Sequence, residues 1–162
     1  MDIDTITNLK KISQKLRRSV ISELSAAGSG HSAGCLGFAD VMAVLYFHAM
    51  RLDPENPDWE DRDIFVMSNG HYAPLLYATL AERGFFDKKE LVNLRKFGSK
   101  LQGHPERGSL PGIETTSGPL GCGLSQAAGM AYSLQYLGGN SERFVYCSLG
   151  DGELDEGNIW EA

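Results

Sequence analysis

Ile6, Leu9, Ile12, Leu16, Val20 and Leu24 recur at intervals of three or four, with Lys10, Lys11, Lys15 and Arg17 between them. That spacing predicts an amphipathic helix of about 20 residues, stopped at Gly28-Ser29-Gly30. Ala39 to Met50 is apolar on most sides and predicts a buried helix, in which His48 beside Phe47 and Met50 takes a core or interface place. Leu52 to Asp63 holds Pro54, Pro57 and several acids, and predicts a loop. Ile64-Phe65-Val66-Met67 is a short apolar strand cut off by Ser68-Asn69-Gly70-His71.

Pro74 suits the first turn of a helix running to Arg83, with Gly84 as its stop. Asp87 and Glu90 resemble a capping box and predict a helix through Phe97. From Gly98 to Gly123 the chain is rich in Gly, Pro, Ser and Thr and has no period, a loop of roughly 25 residues and of the kind that carries function. A helix is expected from about Leu124 to Leu137, then a turn at Gly138-Gly139-Asn140. The apolar run Phe144-Val145-Tyr146-Cys147 then predicts a strand, and a new helix follows Asp151. Helices alternate with buried strands, so the expected class is α/β with a parallel sheet flanked by helices. Only two strands are evident. The remainder of a doubly wound sheet is expected beyond Ala162 rather than hidden in the loops.

Composition narrows the partners. A chain of 162 residues, 42% hydrophobic and 22% charged, reads as one globular domain with a real core. A formal net charge of −6 argues against a nucleic-acid or anionic-membrane partner, so a phosphate-bearing ligand must be held by local features. No apolar run is long enough to span a membrane, and Met1-Asp2-Ile3-Asp4 is acidic where a secretory signal would be basic. Cys35, Cys122 and Cys147 are odd in number and far apart, which predicts a reduced, cytoplasmic setting.

The densest chemical signal is Gly150-Asp151-Gly152, set between an apolar run and a helix start. The carboxyl end of a buried strand is where an open α/β sheet binds its ligand. Glycine lets the backbone approach closely, and the helix start attracts anions. Asp151 would repel a bare phosphate, so the pattern fits a metal ligand with Mg²⁺ between carboxylate and diphosphate. Three of the four histidines, His31, His71 and His104, each follow a glycine in an irregular segment, as side chains converging on a cleft would. Zinc binding by these three is the competing reading, but no H-x-x-x-H or C-x-x-C spacing is present. Ser117-Gly118-Pro119-Leu120-Gly121-Cys122-Gly123 leads into a helix and matches neither the dinucleotide nor the Walker pattern. Asp155, Glu156 and Glu161 suit a helix start as well as a functional site.

Taken together, these segments resemble the N-terminal, diphosphate-binding region of transketolases. The residues that carry the likeness are Ser29-Gly30-His31-Ser32-Ala33-Gly34, Asp61-Arg62-Asp63 through Ser68-Asn69-Gly70-His71, Gly103-His104-Pro105-Glu106, Glu114-Thr115-Thr116-Ser117-Gly118-Pro119-Leu120-Gly121, and Gly150-Asp151-Gly152 with Glu156-Gly157. They stand in the family's order and cover most of the chain from about residue 10. Deoxyxylulose-phosphate synthases are less similar, lacking the Gly-His-Pro-Glu and Gly-Pro-Leu-Gly segments in this form.

The resemblance implies a thiamine-diphosphate-binding fold, incomplete at its C-terminus, and transfer of a two-carbon ketol unit between sugar phosphates with thiamine diphosphate and Mg²⁺. It implies catalytic roles for His31 and His104, which hydrogen-bond the donor sugar and help move protons. His71, Gly118, Leu120, Gly150, Gly152 and Glu156 would hold the cofactor, with Glu156 in an acidic network at a subunit interface, and Asp151 would hold the metal. Ser32 stands where the family commonly has proline. The family's remaining metal ligands, an Asn side chain and a backbone carbonyl, and its pyrimidine-binding domain have no counterpart before Ala162. A C-terminal transketolase subunit in a homo- or hetero-oligomer is therefore the implied partner, and the chain alone is expected to be inactive. The alternative is a non-catalytic relative that acts by pairing.

Overall fold

The computed structural model describes residues 1–137 and 142–162. By contact density the chain forms two compact units: Met1–Met50 with His71–Gly103, and Arg51–Gly70 with His104–Ala162.

The first unit is helical. Helix α1 (Ile3–Ala27) starts where Asp2 accepts a hydrogen bond from the Thr5 amide at 2.7 Å, satisfying an otherwise orphaned donor. It ends at Gly28, whose φ of 66° is left-handed and whose N–H reaches the Leu24 carbonyl. Leu9, Ile12, Leu16 and Val20 form its buried stripe, as the spacing predicts, each buried side chain contributing about 1.5–3 kcal/mol. They meet α2 (Ala33–Val44) and α3 (Ala73–Arg83). Pro74 lies in the first turn of α3 and Gly84 caps its end in the left-handed region, both as expected.

Two elements of this unit depart from the sequence expectation. Helix α2 begins six residues before Ala39, because Gly34 lies beneath the Tyr72 ring and signals packing rather than a break. It continues as a wider turn over Leu45–Ala49, and His48 there is exposed rather than set in a core. Asp87 caps a start by accepting from the Lys89 amide at 2.9 Å, but only a 3-10 stretch over Lys88–Asn93 follows. Glu90 accepts from the Asn93 side chain, and Arg95 turns left-handed so that its N–H reaches the Leu101 carbonyl at 2.8 Å. Burial of Leu94 and Leu101 replaces the missing helical turns, and Phe97 is left fully exposed.

The second unit holds the sheet. Strands β1 (Ile64–Met67) and β2 (Val145–Ser148) run parallel, with Ile64 opposite Val145 and Met67 opposite Ser148. They are the only strands among the described residues, in keeping with the α/β class. Helix α4 (Gly123–Tyr132) packs on them: Ile64, Val66 and Ala127 form a buried cluster against Met130, Leu134, Val145 and Cys147. A wider turn, Ser133–Leu137, prolongs α4 to the residue the sequence predicts. The expected turn at Gly138-Gly139-Asn140 lies outside the described residues.

Asp63 ties the strand starts together. Its buried carboxylate accepts from the Arg51 amide (2.9 Å), the Arg51 guanidinium (3.1 Å) and the Phe144 amide (2.9 Å). Gly98–Gly123 forms no regular helix or strand before α4, as expected. The helix predicted after Asp151 divides into a 3-10 turn, Gly152–Asp155, and α5 (Gly157–Glu161), because Glu156 is extended between them.

Candidate functional site

Parallel pairing brings the carboxyl ends of β1 and β2 to the same sheet edge, so Ser68-Asn69-Gly70 and Leu149-Gly150-Asp151-Gly152 leave it side by side. One buried carboxylate organises that edge. Glu153, 1% exposed, accepts from the Ser68 hydroxyl, from the Gly121 amide at 2.8 Å and from the Gly150 amide at 3.0 Å. Ser68 in turn accepts from the Gly123 amide at 2.9 Å, which holds the first turn of α4. The Ser148 hydroxyl donates to the Asn69 side-chain oxygen at 2.7 Å. Two strand ends, the Gly118–Gly123 loop and a helix start are thereby locked through one side chain.

The glycines of this edge are there for space. A Cβ on Gly70 would come within 2.9 Å of the Gly118 amide nitrogen, and one on Gly123 within 2.4 Å of Ser68 Cβ. Gly118 lies against the exposed His104, whose ring carbon Cγ would stand 3.7 Å from an added Cβ. The Pro105 carbonyl accepts from the Ser117 amide at 3.1 Å, and Thr116 Oγ1 from the Arg107 amide at 3.0 Å, so His104 and Gly118 are pinned side by side. Leu120 is half-buried in the same loop. Gly121, left-handed at φ 86°, approaches the exposed Glu156, whose Cβ would be 3.0 Å from an added one.

Asp151 is exposed, and among the described residues its carboxylate has no hydrogen bond or ion pair. The Gly152 backbone faces open space. Glu153 therefore takes the structural duty of this turn and leaves Asp151 and Gly152 outward. Three buried polar atoms of this unit, Asn69 Nδ2, Ser109 Oγ and Ser117 Oγ, have no partner among the described residues, and Asn69 and Ser117 lie at this edge. An orphaned donor of this kind costs about 1–3 kcal/mol, so a ligand rich in acceptor oxygens fits here. The donor set fits a diphosphate with a hard cation, and Asp151 is the exposed carboxylate of this turn.

In the first unit His31 and His71 meet edge to face, 5.2 Å between ring centroids and 67° between planes. His71 also meets Tyr72 edge to face at 4.6 Å. Gly34 makes room for that tyrosine, since a Cβ there would lie 2.0 Å from the ring. Among the described residues no three His, Cys, Asp or Glu are arranged to hold a metal, which leaves the zinc reading without support.

Of the residues singled out in the sequence, the structure pairs His31 with His71, places His104 on Gly118, brings Gly121 beside Glu156, and sets Gly150, Asp151 and Gly152 around Glu153. Sequence reasoning missed Glu153, Ser68, Asn69 and Ser117. In the sequence Glu153 stands among other acids, Asp155, Glu156 and Glu161. Its only local signal is its place directly after Gly-Asp-Gly.

Residues 9–162 match the family model described as transketolase, thiamine diphosphate binding domain. The chain is 49% identical to mouse transketolase over 99% of its own length and 26% of that protein's. It is 42% identical to a 6-deoxy-6-sulfo-D-fructose transketolase subunit of a Clostridium species, over 91% of this chain and 53% of that one. Among solved structures, transketolase from Campylobacter jejuni superposes with a TM-score of 0.88 at 35% identity, covering 99% of this chain and 26% of the other. Transketolase from Leishmania mexicana gives 0.86 at 37% identity over 94% and 24%. The chain thus spans about a quarter of the full-length relatives it matches.

Proposed function

Because the chain belongs to the family of transketolase thiamine-diphosphate-binding domains, we propose that it forms the diphosphate-binding part of a transketolase. With a partner subunit or domain that supplies the pyrimidine-binding half, it transfers a two-carbon ketol unit from a ketose phosphate to an aldose phosphate. The observation that carries this reading is the Glu153 arrangement: a buried carboxylate fixes the strand ends while Asp151 and Gly152 stay exposed.

In this proposal Asp151 holds Mg²⁺, the Gly152 amide and His71 bind the diphosphate, and Gly118 and Leu120 line the cofactor's rings. Gly150 allows the close backbone approach, and Glu156 joins an acidic network across a subunit interface. When bound, thiamine diphosphate supplies the carbanion chemistry. The protein's share is orientation and proton handling: His31 and His104 hydrogen-bond the donor sugar's oxygens and hold or pass protons there. Three free cysteines agree with a reduced, cytoplasmic setting.

The test is a titration of thiamine diphosphate and Mg²⁺ into the chain mixed with a C-terminal transketolase polypeptide, read by calorimetry and by ketol transfer. Asp151→Ala should abolish the Mg²⁺ dependence and weaken cofactor binding about tenfold or more. Unchanged binding would remove the metal assignment. Pairing with the partner but no cofactor binding by any combination would favour a non-catalytic interaction protein. Donors bearing a phosphate and donors bearing a sulfonate, compared in the same assay, identify the sugar.

A further inference from the structure

Four aromatic rings of the first unit follow one another in a row. His31 and His71 meet edge to face at 5.2 Å, His71 and Tyr72 edge to face at 4.6 Å, and Tyr72 and Phe38 lie tilted at 6.2 Å. The two imidazoles bear the chemistry, and Tyr72 and Phe38 stand behind them. Neighbours in a helical turn point apart, so the 3-10 turn Gly70–Tyr72 does not by itself press Tyr72 onto His71. A support outside the turn brings the two rings together.

Helix α2 is that support. A Cβ on Gly34 would stand 2.0 Å from Tyr72 Cε1, 2.1 Å from Cζ and 2.3 Å from the hydroxyl oxygen. That Cβ would be one bond from Cα, so the phenol edge rests directly on the bare Cα in the first turn of α2. Gly34 and Phe38 are four apart and share one face of this helix, and the tyrosine is bedded across it. Contact with Gly34, Phe38 and His71 leaves a side chain with two rotatable bonds little freedom. His71, half-buried, is then flanked by Tyr72 and by the exposed His31. Rings favour such edge-to-face contacts, in which the positive edge of one meets the negative face of the other.

We propose that Tyr72 is a positioning residue for His71 and, through His71, for His31: bedded on α2 at Gly34 and Phe38, its ring keeps the two imidazoles in their edge-to-face pair. The inference rests on the reading that His71 meets the diphosphate and His31 the donor sugar. A shift of about 1 Å in a reacting geometry is costly, so an orientation set by packing bears on both steps.

Tyr72→Leu keeps apolar bulk over Gly34 and removes the ring, so the variant should fold, and its circular dichroism should match the wild type. In the chain alone, the imidazole C–H resonances of His31 and His71 should move together, while those of His48 and His104 stay. His31 is the decisive probe, because it meets His71 rather than Tyr72 and moves only if the pair is released. Gly34→Ala, which lifts the ring from α2 without removing it, should move the same two resonances and serves where the leucine variant does not fold. Tyr72→Phe retains the ring and should keep both at their wild-type positions. In the chain joined to its partner polypeptide, Tyr72→Leu should weaken thiamine diphosphate binding about threefold or more and lower kcat/KM for the ketose about tenfold. Phenylalanine should restore both. A stationary His31 resonance, a phenylalanine variant as impaired as the leucine one, or unaltered kcat/KM in Tyr72→Leu would each overturn the proposal. If the unaltered chain and partner transfer no ketol units, the functional reading fails by itself, and the resonances still decide whether Tyr72 holds the histidines.

Discussion

Ser68 and Glu153, 85 positions apart, share a buried hydrogen bond that joins the exit of β1 to the turn after β2. The same carboxylate collects the Gly121 and Gly150 amides, so three donors from three segments end on two oxygens. In Glu153→Gln one oxygen becomes an NH₂ group, which then faces a backbone N–H. The loss should be about 1–3 kcal/mol, seen as a fall in Tm and in denaturant midpoint. The Gly-Pro-Leu-Gly loop should become more accessible to protease in the same variant. An unchanged Tm would mean that the carboxylate does not organise this edge.

Glu23 is a second buried carboxylate, and among the described residues neither of its oxygens has a partner. Burial pushes its pKa up to about 9, so the folded protein holds the proton across neutral pH. An unfolded glutamate ionises near 4.5, and between that value and about 9 unfolding releases a proton. Stability should accordingly be greatest at the acidic end of this window and decline as pH rises through it. Glu23→Gln should flatten the profile, and Glu23→Leu should raise stability at pH 8 by about 1–3 kcal/mol. Thermal melts across the window decide the matter, and a wild-type profile parallel to that of Glu23→Gln would refute it.

Asp63 works in the opposite sense. Burial alone would raise its pKa, but the Arg51 and Phe144 amides and the Arg51 guanidinium outweigh it and hold the carboxyl below its ordinary value. Its stabilisation is present in full above pH 3.8, the ordinary value, and is lost as pH falls through the lower folded value. Asp63→Ala should cost about 2–3 kcal/mol at neutral pH, chiefly by orphaning two backbone amides, and should blunt the acid limb of the stability profile. Acid titration of the two proteins followed by circular dichroism provides the comparison.

Gly34→Ala would set a methyl group inside the Tyr72 ring. The ring must move, and with it the edge-to-face contact to His71. A destabilisation of about 1–3 kcal/mol is expected. The side-chain resonances of His71 and Tyr72 should shift together. Unshifted resonances would show that the ring packing does not depend on this glycine.

Much of the fold was legible because it depends on neighbours in sequence. The α1 stripe repeats locally, Gly28 caps it within reach of its own last turn, and Ile64–Met67 is a four-residue apolar run with polar punctuation. The expectation failed where a distant residue decides. The helix expected from Ala39 already starts at Ala33, where Tyr72 covers Gly34, and Asp87 through Phe97 reads as a helix until Leu94, Arg95 and Leu101 find other partners. Gly150-Asp151-Gly152 was readable as a ligand-facing turn, because glycine and carboxylate carry that chemistry wherever the backbone goes.

The amino-acid order by itself determined the helix α1, the two strands, the long irregular segment before α4, and the set of histidines, glycines and Asp151 from which a diphosphate site could be made. Only the tertiary structure decided which acid serves the fold and which faces outward: Glu153 and Asp151 are two residues apart and chemically alike, yet one is buried under three donors and the other is exposed. Local propensity cannot make that distinction. The donors come from Ser68, Gly121 and Gly150: parallel pairing of β1 with β2 brings the first and last together, and the loop before α4 delivers Gly121.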